Sequence, residues 1–267
     1  MLKTRVKTAA VLIVLAAVLL YFSDQPVVMA AAAALLGIIA AWELYGICGH
    51  ERKSLPFAVS ALFAAIFPFI PLPNYAAVLI FALPLGALCF ALEARDLTRF
   101  VLFKRWTPFL FSLIITLFFR SFPALRAGSF GLYTLLLTVA VCVFTDTGAY
   151  FIGRALGKHK LAPKISPGKS REGAVGGAAA ACILCPLLCL AVPGAEAAYV
   201  RALVFSLTAS IVGQAGDLAL SVLKRITGAK DYGRIMPGHG GVLDRFDSML
   251  FAVSYAVIFM YFFPVFS

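Results

Sequence analysis

Charge is what this sequence has least of. Only 13% of its 267 residues are Asp, Glu, Lys or Arg, and 12 of them are acidic, against 62% hydrophobic residues and a mean hydropathy of +0.97. Soluble domains carry about a quarter charged residues, so a water-exposed globule of this length is excluded. The apolar runs lack alternation of apolar and polar positions, which excludes the strands of a closed membrane barrel. Long linkers and obvious repeats are absent, and low complexity is confined to an Ala-rich second run. Cys182, Cys185 and Cys189 mark one helix face without a second pair or a His, so they read as small packing residues rather than a metal site.

What is abundant is uninterrupted apolar sequence. A helix crossing the hydrocarbon core needs roughly 20 mostly apolar residues. Nine runs answer to that, at about 9–22, 27–47, 57–71, 75–92, 107–119, 131–151, 173–192, 201–223 and 248–263, the first, third and fifth being short. Pro26, Pro56, Pro73, Pro108, Pro123 and Pro193 fall near the expected ends, where a missing N–H matters least. The fold class expected is an all-α polytopic membrane protein of about nine transmembrane helices.

Nine crossings place the connecting segments alternately on two sides. Of the 23 Lys and Arg residues, 20 fall on one set of segments and only Arg120, Arg126 and Arg201 on the other. Basic residues collect on the cytoplasmic side, which puts the N-terminus inside and the C-terminus outside. Lys3, Arg5 and Lys7 before an apolar run also fit a signal peptide, but eight further runs favour an uncleaved first helix. The net charge of +11 is explained by topology and by anionic lipid or nucleotide phosphates, without nucleic acid.

Composition divides the chain into 1–130, about five transmembrane helices, and 131–267, helices and cytoplasmic loops that carry the chemistry. In the first part Asp24, Glu51, Glu93 and Asp96 read as boundary charges, and Glu43 stands within two turns of a helix end, where it can reach water. The second part is different. Asp146 and Asp217 each lie about two turns before the cytoplasmic end of their helices, and a carboxylate there needs a wet cavity, a cation or a partner. Asp217, Ser221 and Lys224 share a helix face. A loop rich in charge and glycine follows, with Lys230, Asp231, Arg234, His239, Gly238, Gly240 and Gly241, and then Asp244, Arg245 and Asp247 open the last helix. Glycines let backbone N–H groups approach an anion closely. Lys160, Lys164, Ser166, Lys169 and Arg171 form a second basic cluster on the same side. Gly168-Lys169-Ser170 mimics the end of a P-loop, but Pro163 stands where the earlier glycine is required and no preceding strand is expected. Carboxylates that hold Mg²⁺, and cations that neutralise phosphates, are what phosphoryl or nucleotidyl transfer needs.

The run Ser221 to Asp247, through Lys224-Arg225, Lys230-Asp231, Gly233, Met236-Pro237, His239-Gly240-Gly241-Val242 and Asp244-Arg245-Phe246-Asp247, resembles the signature of the phosphatidate cytidylyltransferases. Asp146 with Ala149-Tyr150, Ser166-Pro167 with Glu172-Gly173, and Gly216-Asp217 resemble the family's upstream motifs. The specific likeness covers about 144–247, with Met236, Gly168 and Ser170 departing from the usual residues. The resemblance implies transfer of CMP from CTP to phosphatidate with Mg²⁺, alone or with a second cation, a membrane site open to cytoplasm and lipid, and a homodimer in a bacterial inner membrane. It also assigns roles. Asp217 and Asp244 are the expected metal ligands, with Asp146 and Asp247 orienting them. Lys224, Arg225, Lys230, Arg245 and Lys169 are matched to phosphates, Ser221 and His239 to positioning. Asp231 joins the catalytic group, and Ser166, Gly240 and Gly241 the substrate contacts. A CTP-dependent lipid or isoprenoid alcohol kinase is the nearest alternative. CDP-alcohol phosphotransferases are disfavoured because the chain has no Asp-Gly pair, and a transporter would spread its polar residues over both halves.

Overall fold

The computed structural model describes residues 2–71, 75, 80, 107–192 and 198–266. Apolar runs become helices because in lipid every backbone N–H and C=O must be satisfied within the segment. The helices are α1 (Leu2–Tyr21), α2 (Pro26–Ile47), α3 (Leu55–Ile66), α4 (Thr107–Arg126), α5 (Gly131–Leu156), α6 (Arg171–Leu188), α7 (Tyr199–Ile226) and α8 (Leu243–Phe262). Single 3₁₀ turns prolong α3 (Phe67–Phe69) and α6 (Cys189–Ala191). Among the described residues six helices, α2 and α4 to α8, are long and apolar enough to cross a membrane, while the apolar parts of α1 and α3 are shorter. The fourth expected run, 75–92, lies outside the described residues apart from Tyr75 and Ile80.

The prolines set some boundaries and not others. Pro26 and Pro56 open α2 and α3 in their first turn, where the ring's fixed φ suits the helix. Pro123, by contrast, lies inside α4, which continues to Arg126. It removes the N–H that would bond the Phe119 carbonyl, and the helix ends within one turn after it.

One segment is not helical. Residues between α5 and α6 form an antiparallel hairpin, β1 (Lys160–Ala162) against β2 (Ser166–Ser170), with Lys160 opposite Ser170 and Ala162 opposite Ser166. Glu172 closes its base, accepting from the backbone N–H groups of Lys158 and His159, each at 3.2 Å, and from the His159 ring at 2.6 Å. Ser170 ends β2 and caps α6, its hydroxyl accepting from the Gly173 N–H at 3.1 Å. A strand therefore carries Gly168-Lys169-Ser170 directly into a helix, although Pro163 still bars a P-loop.

Small residues bring α5 and α6 into close register. A Cβ on Gly177 would stand 2.4 Å from the Thr145 carbonyl oxygen, so only glycine permits that approach. Buried hydroxyls tie other helices together: Ser112 to Ser60 at 2.8 Å, Ser121 to Ser254 at 3.0 Å and Thr145 to Ser210 at 2.8 Å. Aromatic packing of Phe118 and Phe119 from α4 against Leu220, Leu223, Leu250 and Phe251 fills one core, and Phe205, Val141, Ala209 and Val253 fill another.

The connections gather at two ends. At one, Asp24 pairs with Arg126, and Arg201 donates to the Pro264 carbonyl at 2.7 Å. At the other lie the end of α2, the hairpin and the 227–242 loop, and Thr8 of α1 donates to the Pro237 carbonyl at 3.0 Å.

Candidate active site

Three carboxylates and a lysine gather between the second half of α5, the second half of α7 and the start of α8. Lys169, on β2, ion-pairs with Asp217 of α7. One turn later on the same face, Ser221 donates to Asp217 Oδ1 at 3.4 Å. The Asp247 carboxyl of α8 stands within hydrogen-bonding reach of Asp217, and Asp146 of α5 feels the charges of Asp217, Lys169 and Arg245. Asp146 and Asp217 thus stand near one lysine, with Asp247 beside Asp217.

Asp244 has other partners. Its Oδ1 accepts from Lys224 Nζ at 2.8 Å, and its Oδ2 accepts from the backbone N–H groups of Tyr232 at 2.8 Å and Gly241 at 2.9 Å. The pair is dry, with side-chain exposures of 11% for Lys224 and 4% for Asp244. Burial, and then the charge of Asp244, hold the Tyr232 phenol well above its usual range, and its hydroxyl donates to the Leu220 carbonyl at 2.7 Å. Gly238 and Gly240 take φ of +80° and +86°. Glycine does let backbone approach an anion here, but the anions are the protein's own: a Cβ on Gly240 would meet Asp244, and one on Gly241 would meet Glu43. The Gly241 N–H is committed to Asp244 rather than turned toward the cavity.

Two cavities flank this row of charges. One, of about 470 Å³, is lined by Asp146, Tyr150, Arg154, Lys169, Ser170 and Gln214. The other, of about 550 Å³, is lined by Lys230, Asp231, Arg234, His239, Gly240 and Arg245. In the second wall His239 Nδ1 is buried without a hydrogen-bond partner among the described residues. Arg225, matched earlier to a phosphate, donates from Nε to the Ile165 carbonyl at 2.9 Å and ties α7 to the hairpin. Ser166 pairs with Ala162 at the start of β2 and is not in either cavity wall.

Glu43 departs most from its sequence reading. It does not reach water: it is fully buried, and its carboxylate accepts from the N–H groups of Val242 at 2.8 Å and Leu243 at 3.0 Å, the start of α8. No local pattern at Glu43 pointed to a partner about 200 residues away. The sequence assigns no role to Glu172, although an upstream motif includes it, or to Tyr232, which lies inside the signature run.

Among the described residues no three His, Cys, Asp or Glu side chains stand in ion-holding geometry. Asp217, Asp247 and Asp146 supply carboxylate oxygens, the donors a hard divalent cation takes, and the two partners that hold Asp217, Lys169 and Ser221, are themselves partly exposed or neutral and can give way to one. Asp244 has both oxygens filled by three N–H donors.

Carboxylates, cations and glycine turns at one end of an apolar helix bundle define a membrane protein built for chemistry on phosphates. The chain belongs to the cytidylyltransferase family, whose profile matches residues 3–263 and so takes in the N-terminal helices as well. It is similar to the phosphatidate cytidylyltransferase of Staphylococcus haemolyticus, 39% identical over 226 residues that cover 82% of this chain and 84% of that protein. The phosphatidate cytidylyltransferase of Staphylococcus saprophyticus is 48% identical over 123 residues, 46% of this chain and 47% of that one. That of Brucella suis is 47% identical over 151 residues, 54% of each. In the last two the chain spans about half the relative's length.

Proposed function

We propose that the protein is a CTP:phosphatidate cytidylyltransferase, making CDP-diacylglycerol and pyrophosphate. The observation that carries this reading is the row Lys169, Asp217, Asp247, Lys224 and Asp244, set between two cavities at one end of the bundle. A reaction between a cytosolic nucleotide and a membrane lipid needs such a meeting point. CTP takes the cavity of Lys230, Arg234, His239 and Arg245. The phosphatidate headgroup takes that of Lys169 and Arg154, beside which Tyr150, Phe151 and Val175 are exposed for acyl chains.

Asp217 and Asp247, with Asp146, would hold Mg²⁺, which when bound offsets charge on the nucleotide phosphates. A phosphatidate phosphate oxygen attacks the α-phosphorus of CTP in line, the bond to the β-phosphate oxygen breaks, and pyrophosphate leaves. Lys169 orients the attacking phosphate, and Arg245 and Lys230 draw the leaving one away. A phosphate monoester is its own nucleophile, so no side chain needs to form a covalent intermediate.

The wider setting belongs to the same reading: nine crossings, the N-terminus inside, the site facing the cytoplasm of a bacterial inner membrane, and a homodimer. The test is purified protein given phosphatidate, Mg²⁺ and CTP labelled at the α or the γ phosphate. We expect α-label in the lipid. Label from the γ position would make the protein a kinase, and label from neither would favour transport.

A further inference from the structure

Helix α8 begins without a cap of its own. Val242, at its N-cap, has helical φ and ψ of −63° and −46° and offers no side-chain acceptor. The first N–H groups of a helix need acceptors, and a charged carboxylate is the strongest that a side chain supplies. Here it comes from another helix. Glu43 Oε1 accepts from Val242 and Oε2 from Leu243, at 2.8 and 3.0 Å.

The same carboxylate also fixes the loop before α8. A Cβ added to Gly233 would stand 2.6 Å from Glu43 Oε1, and one added to Gly241 2.4 Å from the same atom. Both limbs of the loop therefore fold against Glu43, one on the outgoing side and one on the return. Residues between those limbs, Arg234, His239 and Gly240, line the 550 Å³ cavity. Asp244, Arg245 and Asp247 follow within the first turns of α8. Glu43 lines neither cavity, yet Arg234, His239 and Arg245, proposed to meet the nucleotide, stand on backbone that it holds.

From this we infer that Glu43 is the positioning residue of the nucleotide side of the site: its carboxylate sets the 230–241 loop and the start of α8 in the geometry that receives CTP. The inference rests on the reading of the protein as a CTP-using transferase. It assigns the nucleotide side alone, because the hairpin that carries Lys169 is tied to α6 and α7 by Ser170 and Arg225 and, among the described residues, forms no hydrogen bond to Glu43.

Glu43→Gln keeps the shape of the side chain and removes its charge and one acceptor. In purified full-length protein we expect the KM for CTP to rise at least tenfold, while the KM for phosphatidate stays within about twofold. Gly241→Ala pushes on the carboxylate from the other side and should give the same split, so it carries the test if Glu43→Gln does not fold. Ser254→Ala, a buried hydroxyl away from the loop, should shift neither constant. Equal changes in both KM values, or a drop in folded yield with both constants unchanged in whatever variant folds, would overturn the inference. Failure of the parent reading is distinct, since the wild-type protein would then pass no α-label from CTP to lipid.

Discussion

At the scale of single residues, the aspartates separate by the company they keep. Asp217 pairs with a lysine that is about a third exposed and can turn to water, whereas Asp244 pairs with a buried lysine that cannot. Removing one partner of a buried pair costs about 3–5 kcal/mol, because the other charge is left unsolvated. Asp244→Asn should therefore lower the melting temperature in detergent whether or not Mg²⁺ is present. Asp217→Asn and Asp247→Asn should leave the metal-free melting temperature nearly unchanged, nearly abolish turnover, and lose the stabilisation that Mg²⁺ gives the wild type by binding the native state. Thermal unfolding with and without Mg²⁺ reads all three variants. If Asp244→Asn lost the Mg²⁺ gain while Asp217→Asn kept it, the ion would have to be reassigned to Asp244. The sequence made each of these aspartates conspicuous, since a carboxylate near an apolar run is rare. It could not sort them, because sorting depends on which backbone N–H groups point at each oxygen. The Tyr232 and Gly241 amides that fill Asp244 become its neighbours only when the loop closes.

At the scale of elements, the helices were legible because lipid allows a chain few other choices. Their ends were less so. Pro123 suggested a stop and lies inside α4, which continues for only three residues beyond it. The hairpin was hidden for a different reason. Lys160–Ala162 and Ser166–Ser170 show no apolar alternation, and what holds them is the base closed by Glu172 together with the cap at Ser170. Ser170 joins strand to helix immediately after Lys169, so its loss should act on both. We expect Ser170→Ala to destabilise the protein by about 1 kcal/mol, the usual cost of an N-cap. Turnover should fall severalfold through misplacement of Lys169, with the KM for CTP held. A Tm shift without that loss of turnover would mean that β2 is positioned by Arg225 alone.

At the scale of the whole molecule, the charge split has a physical counterpart in the two ends of the bundle. Arg126 and Arg201 lie at the end opposite the site, and Arg52, Lys164, Lys169, Arg225 and Lys230 at the site end. Arg52 also stacks its guanidinium 3.7 Å from the Trp42 ring, as a residue at a membrane interface would. With native cysteines replaced, Lys164→Cys should react with an impermeant thiol reagent only in inverted vesicles, and Gly128→Cys only in intact cells. Both positions are exposed. Reversed labelling would put the site on the outer side and remove cytosolic CTP as its substrate.

The contact between Glu43 and α8 has a consequence in time. Its two ends are 199 and 200 residues apart, and chains grow at about 5–20 residues per second. For roughly 10–40 seconds after Glu43 is made, the groups that will bury it do not exist. A carboxylate without partners is held out of hydrocarbon by its desolvation cost, so the end of α2 stays at the water interface until the last helix arrives. A water-facing Glu43, as read from the sequence, is what the chain would show before α8 is made, and the folded protein buries it.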